Sequence, residues 1–341
     1  MSSSAAESRS AAHARVLCLV AAARALVEGR SHLVGPIAEE TGLSPEGVEL
    51  ALTEHLETDP DPRDVARLLD RAAPADAVTV VLSANAFVGA LRAVALALAS
   101  TSRVFVKASR REHRFVRALL DRAPELGVGF GLSLDVPGVR EGEIHVYGRD
   151  ETIAAVRAAS KVPVRGHGAG FGVVEVAGDD PDGAARAIVR DVVPFDQRGC
   201  LSPRVVLVHG GPERAHALAR ALHRALGARE METPRGALSD EERAAAVRYR
   251  DTMTVVGEAW EGAGHLVGAS TGFVLPPAGR CVHVAPFDAA SKGAVEASAR
   301  FVTALGTDAA ESGLVLPHAR ISALGGMQRP PLDGPVDQRP D

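Results

Sequence analysis

The chain has 341 residues, of which 46% are hydrophobic and 24% are charged. This length and composition are typical of a folded protein with two domains rather than of a disordered chain. The 38 basic and 43 acidic residues give a formal net charge of -5, and aromatic residues make up only 4%. Since nucleic-acid binding favours a basic surface and aromatic side chains for base stacking, the composition argues against a nucleic-acid partner.

The sequence predicts no membrane span, secretory signal or disulfide framework. The most apolar stretch, 16–27, is interrupted by Arg24 and is shorter than the roughly 20 apolar residues that a span needs. The N-terminus lacks a basic segment followed by an apolar one. Cys18, Cys200 and Cys281 are too few for a disulfide framework and fit no zinc-binding spacing. We therefore expect a cytoplasmic enzyme without a bound metal.

The first 75 residues are predicted to form an N-terminal helical segment. Apolar residues recur at helical spacing over 11–28. The run Ser44-Pro-Glu-Gly-Val is typical of a helix N-cap followed by proline, which predicts a second helix to about residue 57. A short helix is expected over 62–72 after a proline-containing break.

From residue 77 onwards, predicted strands alternate with predicted helices. The strands are short apolar runs of the kind that is buried on both faces, at 78–82, 103–106, 143–147, 162–164 and 173–176. Predicted helices separate most of these strands. The first helix ends at about residue 99, and the others span 110–121, 150–159 and 181–193. Since this alternation is typical of a parallel doubly wound sheet, we expect a nucleotide-binding domain over 76–198.

A second α/β domain is predicted over 199–310. Its expected strands and helices are a strand at 204–208, helices over 213–226 and 240–250, and strands at 253–256, 264–270 and 281–284. The C-terminal extension, 311–341, is rich in proline, glycine and aspartate towards its end. We expect this end to lie extended across the surface or across a neighbouring subunit.

The segment most indicative of chemistry is Phe195-Asp-Gln-Arg-Gly-Cys-Leu-Ser-Pro, in which Cys200 precedes a predicted strand. At such a tight bend the thiol can face a cleft, and backbone N–H groups can stabilise an oxyanion. A lone cysteine is more often a small buried hydrophobic residue. We favour that role for Cys18 and Cys281, which lie within a helical and a strand pattern, and the spacing alone leaves both roles open for Cys200.

The run Asp-Gln-Arg-Gly-Cys-Leu-Ser-Pro closely resembles the active-site segment of bacterial acyl-CoA (fatty-acyl) reductases. That family supplies aldehyde in bioluminescence and belongs to the aldehyde dehydrogenase superfamily. Four further segments support the resemblance in the expected order: Leu82-Ser-Ala-Asn-Ala-Phe-Val, Val104-Phe-Val-Lys-Ala-Ser, Val146-Tyr-Gly-Arg-Asp-Glu-Thr and Leu324-Gly-Gly-Met-Gln-Arg-Pro-Pro-Leu-Asp. The resemblance implies an aldehyde-dehydrogenase-like fold, with a Rossmann-type parallel-sheet cofactor domain and an α/β catalytic domain.

Carried over residue by residue, the resemblance makes Cys200 the nucleophile. It implies that the thiol attacks the carbonyl of an acyl-CoA or acyl-carrier thioester, forms a thioester and releases CoA, and that hydride from a nicotinamide then yields the aldehyde. Asn85 and the backbone N–H of Cys200 stabilise the oxyanion in this scheme. On sequence alone, Asn85 is more often a helix cap after a strand.

The resemblance also implies which residues hold the cofactor. Lys107 and Ser109 correspond to the pair that grips the adenosine ribose, although a strand-end lysine can be an ordinary surface charge. A lysine that reaches a ribose 2′-phosphate favours NADP, with NAD as the alternative. Gly148 and Thr152 lie where a turn and the first turn of a helix favour a phosphate, although a glycine before a helix is also a plain connection.

The glycine-rich run Gly166-His-Gly-Ala-Gly-Phe-Gly precedes a strand rather than a helix, so we interpret it as a loop near the nicotinamide. Hydrolytic aldehyde dehydrogenases carry a glutamate in the corresponding segment that activates water, whereas 164–170 contain no carboxylate. His167 is a candidate proton donor, a cofactor contact or a structural histidine. The superfamily's second ribose-binding carboxylate has no clear counterpart, since Glu311 lacks its motif.

Three functions follow from these patterns. The first is an NAD(P)H-dependent acyl-CoA reductase. The second is an oxidative aldehyde dehydrogenase, which the missing glutamate disfavours. The third is a non-catalytic cofactor-binding or scaffolding subunit, which the short chain favours and the combination of Cys200, Asn85 and Lys107 disfavours. A homo-oligomer or a multi-enzyme acyl-processing complex is the expected assembly.

Overall fold

The computed structural model describes residues 3–84 and 86–339, which form N-terminal helices followed by two α/β units. The helices are α1 (Ser3–Glu28), α2 (Ser31–Thr41), α3 (Pro45–Leu50), α4 (Pro62–Arg71), α5 (Gly89–Ser100), α6 (Arg114–Leu120), α7 (Asp150–Ala159), α8 (Pro181–Val192), α9 (Pro212–Glu230), α10 (Asp240–Val256) and α11 (Ala289–Ala297). The strands are β1 (Val78–Val81), β2 (Val104–Lys107), β3 (Gly129–Gly131), β4 (Glu143–Tyr147), β5 (Val164–His167), β6 (Phe171–Val176), β7 (Pro203–Val208), β8 (Glu258–Glu261), β9 (Leu266–Ala269), β10 (Cys281–Pro286), β11 (Val302–Thr307) and β12 (Arg320–Ala323).

The N-terminal helices begin at capped positions and pack on the first unit. Ser44 caps α3 by accepting a hydrogen bond from the Gly47 N–H at 3.0 Å, as the sequence predicts. The chain then continues as a π-helical turn over Ala51–His55. Helix α1 packs against α5 and α6 through a buried apolar stripe that includes Leu19 and Leu26.

One segment of α1, Glu7–Glu28, is long and apolar enough to cross a membrane by length and composition, with a mean hydropathy of 1.5. The interruption at Arg24 therefore does not exclude a span on these two criteria, contrary to the sequence-based expectation. In the structure, 39% of the most apolar part of this segment is buried against the rest of the chain. A helix of a protein core passes the same test of length and composition.

The first unit is a five-stranded parallel sheet in the order β3-β2-β1-β4-β5. In its central strand, β1, all four residues are buried, which explains the continuous apolar run. Because all five strands are parallel, their carboxyl ends lie at one edge. Lys107 at the end of β2 and His167 at the end of β5 therefore lie at the same edge of the sheet, where open α/β sheets bind ligands.

The second unit is a seven-stranded sheet in the order β12-β11-β6-β7-β10-β9-β8, with only β8 antiparallel among the described strands. Strand β6 and helix α8 belong to this unit, although the sequence analysis assigns them to a domain ending at residue 198. Strand β12 also belongs to it, although it lies within the predicted extension from 311. These boundaries are wrong because an alternating pattern predicts strands and helices without indicating which sheet a strand joins.

Individual elements differ from the prediction in a few places. Residues 253–256, predicted as a strand, form the last turn of α10, in which Met253 is buried and Val255 is 84% exposed. This helix begins with a capping box between Ser239 and Glu242, which favours helix over the whole segment. Helix α2 and strands β3, β8, β11 and β12 lack the apolar patterns used for prediction and are observed only in the structure.

The C-terminal residues run extended across the chain's own two units. Met327 is buried in the apolar core of the second unit, and Leu332 is buried in the core formed by the first unit and the N-terminal helices. Between them, the buried Arg92 guanidinium donates hydrogen bonds to the backbone oxygens of Pro330 and Pro331, at 2.7 and 2.8 Å. The tail therefore contacts the cores on both sides of the molecule.

Candidate active site

The segment leading to Cys200 is a left-handed turn made of three residues that are not glycine. Phe195, Asp196 and Gln197 have φ angles of 55°, 49° and 64°. Left-handed backbone costs such residues roughly 1–2 kcal/mol each, so the surrounding structure must hold them in place. Backbone strain of this kind concentrates at functional sites, where it fixes the direction of a neighbouring side chain.

Two buried side chains stabilise this turn. The guanidinium of Arg280, only 1% exposed, donates to the Asp196 carboxylate at 2.9 Å and to the Glu230 carboxylate at 2.8 Å. The Gln197 amide donates to the backbone oxygens of Pro203 and Cys281, both at 2.7 Å, and accepts from the Cys281 N–H at 2.8 Å. The turn is thereby fixed to the first residues of β7 and β10.

Cys200 follows this turn and lies in a predominantly apolar setting. Burial raises the pKa of its thiol to about 11, and the negative charge of Asp337 acts in the same direction. The positive charge of Arg339 and the backbone N–H groups of Cys200 and Leu201 favour the thiolate and partly offset that rise. These N–H groups therefore face the region in which negative charge forms.

The thiol opens onto a cavity of about 280 Å³ between the two units. Its wall includes Tyr147, Gly148 and His167 from the ligand-binding edge of the first sheet, and Cys200 and Arg204 from the second unit. The structure thus brings three sequence-predicted residues, Cys200, His167 and Gly148, into one cavity. Its volume lies at the small end of the range for ligand sites.

Sequence reasoning did not single out Tyr147, although it lies in one of the segments that carry the family resemblance. Its ring stacks on that of His167 with centroids 4.4 Å apart and planes 15° from parallel. Its hydroxyl is buried and has no hydrogen-bond partner among the described residues, and burial raises its pKa. Tyr147 therefore holds a buried, uncharged O–H donor in the wall of the cavity that contains Cys200.

The C-terminal tail closes another part of the cavity. The Arg339 guanidinium donates two hydrogen bonds to the Asp337 carboxylate, at 2.6 and 2.7 Å. The same guanidinium donates to the backbone oxygens of Gly168 at 3.1 Å and Ala169 at 2.9 Å, in the glycine-rich loop. Asp337 lines the cavity, so the tail brings a paired carboxylate close to Cys200.

Lys107 and Ser109 lie at the end of β2, outside the wall of this cavity. Lys107 is half-buried, and among residues 3–84 and 86–339 no carboxylate lies within ion-pair distance of it. Burial and the nearby Arg110 both lower its pKa. A half-buried ammonium without a counterion at the carboxyl edge of a parallel sheet fits the phosphate or ribose of a dinucleotide.

The other predicted cofactor residues lie between β4 and α7. Gly148 lines the cavity and donates its N–H to the backbone oxygen of His167 at 3.1 Å. Thr152 is exposed in the first turn of α7, where Asp150 and Glu151 add two negative charges. Since those charges oppose an anion at the helix N-terminus, this position fits a phosphate less well than Lys107 does.

Asn85, the predicted oxyanion-stabilising residue, lies outside the described residues, and its role stays a prediction. Cys18 donates to Glu125 at 2.8 Å on the N-terminal helices, and Cys281 is buried between β10 and α10, so both lie away from the cavity wall. Within the described ranges, no group of three His, Cys, Asp or Glu side chains has an arrangement that suits a metal ion.

Comparison with known proteins gives a match at the level of family and fold. The family model described as Acyl-CoA reductase (LuxC) matches residues 141–303. A lactaldehyde dehydrogenase structure is similar with a TM-score of 0.65 and 16% identity, over 91% of this chain and 78% of that one. An NAD-dependent benzaldehyde dehydrogenase from Corynebacterium glutamicum has a TM-score of 0.67 and 16% identity, over 94% and 84%.

A third similar structure is the Mycobacterium tuberculosis aldehyde dehydrogenase complexed with NAD+, with a TM-score of 0.63 and 16% identity over 88% of this chain and 74% of that one. No curated protein matches the sequence. The family match runs from the residues before β4 into β11 and includes Cys200. Over residues 141–303 the chain therefore matches the acyl-CoA reductase (LuxC) family, and as a whole it has the aldehyde dehydrogenase fold, as the sequence predicted.

Proposed function

We propose that this protein is an NAD(P)H-dependent reductase that converts an acyl thioester into an aldehyde through an intermediate on Cys200. The observation that carries this proposal is the position of Cys200, whose thiol opens onto a cavity that reaches the ligand-binding edge of the first sheet. The match to acyl-CoA reductases includes this cysteine and supports the class of substrate. The similar fold of dehydrogenases, one of them complexed with NAD+, supports a nicotinamide cofactor.

The first step is transfer of the acyl group to sulfur. A new bond forms between Cys200 Sγ and the acyl carbon, the bond from that carbon to the donor's sulfur breaks, and the Cys200 proton leaves with the donor as a free thiol. With a pKa of about 11, only roughly one thiol in 10⁴ is ionised at pH 7. The Arg339 charge and the N–H groups of Cys200 and Leu201 favour the thiolate during the attack.

The second step releases the aldehyde by breaking the bond between the acyl carbon and Cys200 Sγ, and it consumes one proton, which restores the Cys200 thiol. Tyr147 has an unpartnered hydroxyl in the cavity, and its raised pKa keeps the proton on the oxygen at neutral pH. His167 stacks on the Tyr147 ring and holds its orientation. We assign the position beside the reacting oxygen to this pair, in which the Tyr147 hydroxyl donates a hydrogen bond and keeps its proton because its pKa is raised, and His167 is the candidate proton donor.

The cofactor-holding residues are Lys107, Ser109 and Gly148. When bound, a reduced nicotinamide cofactor supplies the hydride. The unpaired ammonium of Lys107, with the exposed Arg110 and Arg111 beside it, favours NADP over NAD because a 2′-phosphate adds negative charge at that position.

The surroundings of Cys200 favour reduction over hydrolysis. The glycine-rich loop at 164–170 contains no carboxylate that activates water. Asp337 is a carboxylate of the cavity wall, and both of its oxygens already accept hydrogen bonds from Arg339. A thioester on Cys200 is thereby protected for the second step.

The test measures NADPH oxidation with a panel of acyl-CoA thioesters and follows the acyl adduct by mass spectrometry. We expect Cys200→Ala to abolish the adduct and to lower turnover by roughly 10³-fold or more. The matched control is Cys18→Ala, which removes a thiol on the N-terminal helices and leaves both readouts unchanged. Turnover that survives Cys200→Ala, or a folded wild-type protein that no thioester labels, contradicts the proposal.

A further inference from the structure

Arg204 is a partly buried arginine in the wall of the cavity, and no carboxylate among residues 3–84 and 86–339 pairs with it. It is the second residue of β7, four positions after Cys200, and both residues line the same cavity. Its Nε is buried and has no hydrogen-bond partner in the part of the chain that the structure describes. Burial lowers its pKa, and within 3–84 and 86–339 it forms no ion pair.

Several other buried or partly buried arginines pair with carboxylates. Arg280 pairs with Asp196 and Glu230, and Arg320 pairs with Asp333 at 2.8 Å. Arg198, which also lines the cavity, pairs with Glu242 at 2.8 Å. Since a buried guanidinium nitrogen without a partner is unfavourable, the unpartnered Nε of Arg204 indicates an external counterion.

The chemistry of the guanidinium defines the class of ligand. Its planar array of N–H donors matches the two oxygens of a carboxylate or the oxygens of a phosphate. Arg204 and Cys200 line the same cavity. We therefore place the anionic group that Arg204 binds within the acyl group that Cys200 accepts. A cavity of about 280 Å³ accommodates a short acyl group.

We propose that Arg204 binds the free carboxylate of a short dicarboxylic acyl thioester and thereby selects substrates that are negatively charged at the far end. The inference deepens the proposed function and rests on it for the identity of the reacting group. A phosphate of CoA or of the cofactor offers similar oxygens, so the experiment must separate these sources from the acyl carboxylate.

The first arm measures acylation of Cys200 without cofactor, by mass spectrometry. Succinyl-CoA and glutaryl-CoA are compared with butyryl-CoA and valeryl-CoA, which have the same chain lengths without the second carboxylate. We expect the dicarboxylic thioesters to react about 10- to 100-fold faster with the wild type. Arg204→Met is expected to abolish this preference, and Arg204→Lys to retain part of it. The control is Arg224→Met, which replaces an exposed arginine on α9 and leaves the preference intact.

The second arm separates a ligand-binding arginine from a structural one. An arginine that stabilises the fold lowers Tm when it is replaced, whereas replacing an unpaired buried charge by Met leaves Tm unchanged or raises it. Free glutarate is expected to raise the Tm of the wild type and not that of Arg204→Met. Butyrate, inorganic phosphate and CoA serve as the comparison ligands.

Equal acylation by both classes of thioester, or a rise in Tm with phosphate or CoA but not with glutarate, overturns the proposal. A glutarate effect that Arg204→Met abolishes supports the site even if no thioester labels Cys200. A glutarate effect without labelling of Cys200 counts against the proposed acyl transfer alone. The carboxylate site and the proposed function can therefore fail independently, and the two arms distinguish these failures.

Discussion

The reactivity of Cys200 depends on two opposite charges that the same tail delivers. Asp337 raises the pKa of the thiol and Arg339 lowers it, while the two side chains also bind each other. The net effect of burial and charge leaves the thiol protonated at neutral pH. A small displacement of either charge changes the fraction of thiolate, so the two residues set how readily the nucleophile forms.

We expect Asp337→Asn to lower the pKa of Cys200, because it removes a negative charge that disfavours the thiolate and leaves Arg339 in place. At a pH below the pKa, a shift of roughly one unit raises the thiolate fraction and the alkylation rate by about tenfold. The measurement is the rate of Cys200 alkylation by iodoacetamide as a function of pH, with labelled peptides quantified by mass spectrometry.

Arg339→Gln is the matched opposite change and is expected to slow alkylation, since it removes the attractive charge and leaves Asp337 unpaired. The pH at which alkylation of Cys200 reaches half its maximal rate should move downwards from about 11 in Asp337→Asn and upwards in Arg339→Gln. If both variants shift it in the same direction, general loosening of the tail explains the effect better than charge does.

At the scale of the element, the left-handed turn at 195–197 determines where Cys200 lies. No sequence pattern predicts it, because only the aspartate among Phe195, Asp196 and Gln197 is enriched at positive φ, and three consecutive left-handed residues are exceptional. Their conformation results from contacts with Arg280, which lies more than eighty positions further along the chain. The sequence thus indicates Cys200 as the candidate nucleophile, while the orientation of its thiol depends on long-range contacts.

We expect Arg280→Met to destabilise the protein strongly. It leaves the Asp196 and Glu230 carboxylates without their shared partner, and breaking a buried ion pair in this way costs roughly 3–5 kcal/mol. The free energy of unfolding from urea titration measures the loss. Under conditions where the variant is folded, Cys200 acylation is expected to be slower because the turn is no longer fixed.

The control is Arg243→Met, which removes an exposed arginine paired with Asp240 in the first turn of α10 and should change stability by less than about 0.5 kcal/mol. An Arg280→Met protein as stable as this control would show that the turn at 195–197 does not need the ion-pair network.

A strand is predictable from the sequence when its own residues determine it, and is not when long-range contacts do. Strands β1, β2 and β4 are apolar runs buried in a parallel sheet, so local sequence is sufficient. Strand β11 contains two threonines and Gly306, and its place in the sheet depends on pairing with β6 and β12. A Cβ at Gly306 would lie 2.8 Å from the sulfur of Met327, so the tail packs directly against this position of the strand.

At the scale of the whole molecule, the cavity is assembled from distant parts of the chain. Tyr147, Arg204 and Asp337 line it together with Cys200, yet they come from the first sheet, the second sheet and the tail. The family resemblance identifies Cys200 and His167 because they lie in or beside recognisable segments. The unpartnered donors and the tail carboxylate are recognised only from burial and hydrogen bonding, which are properties of the folded chain.

The tail also couples the unfolding of the two units, because it packs in the core of each. Leu332, 1% exposed, packs in the core of the first unit, and Met327, 2% exposed, packs in that of the second.

We expect Leu332→Ala to lower the free energy of unfolding by about 2–5 kcal/mol, as for other buried leucines. It should also speed cleavage by endoproteinase Asp-N before Asp337, since the tail is then less firmly held. Urea titration and a proteolysis time course measure the two effects. Val315→Ala, at a position 67% exposed, is the control and should change neither one appreciably. Lower stability without faster cleavage would place the contribution of Leu332 in the first core alone, and would argue against a tail that couples the two units.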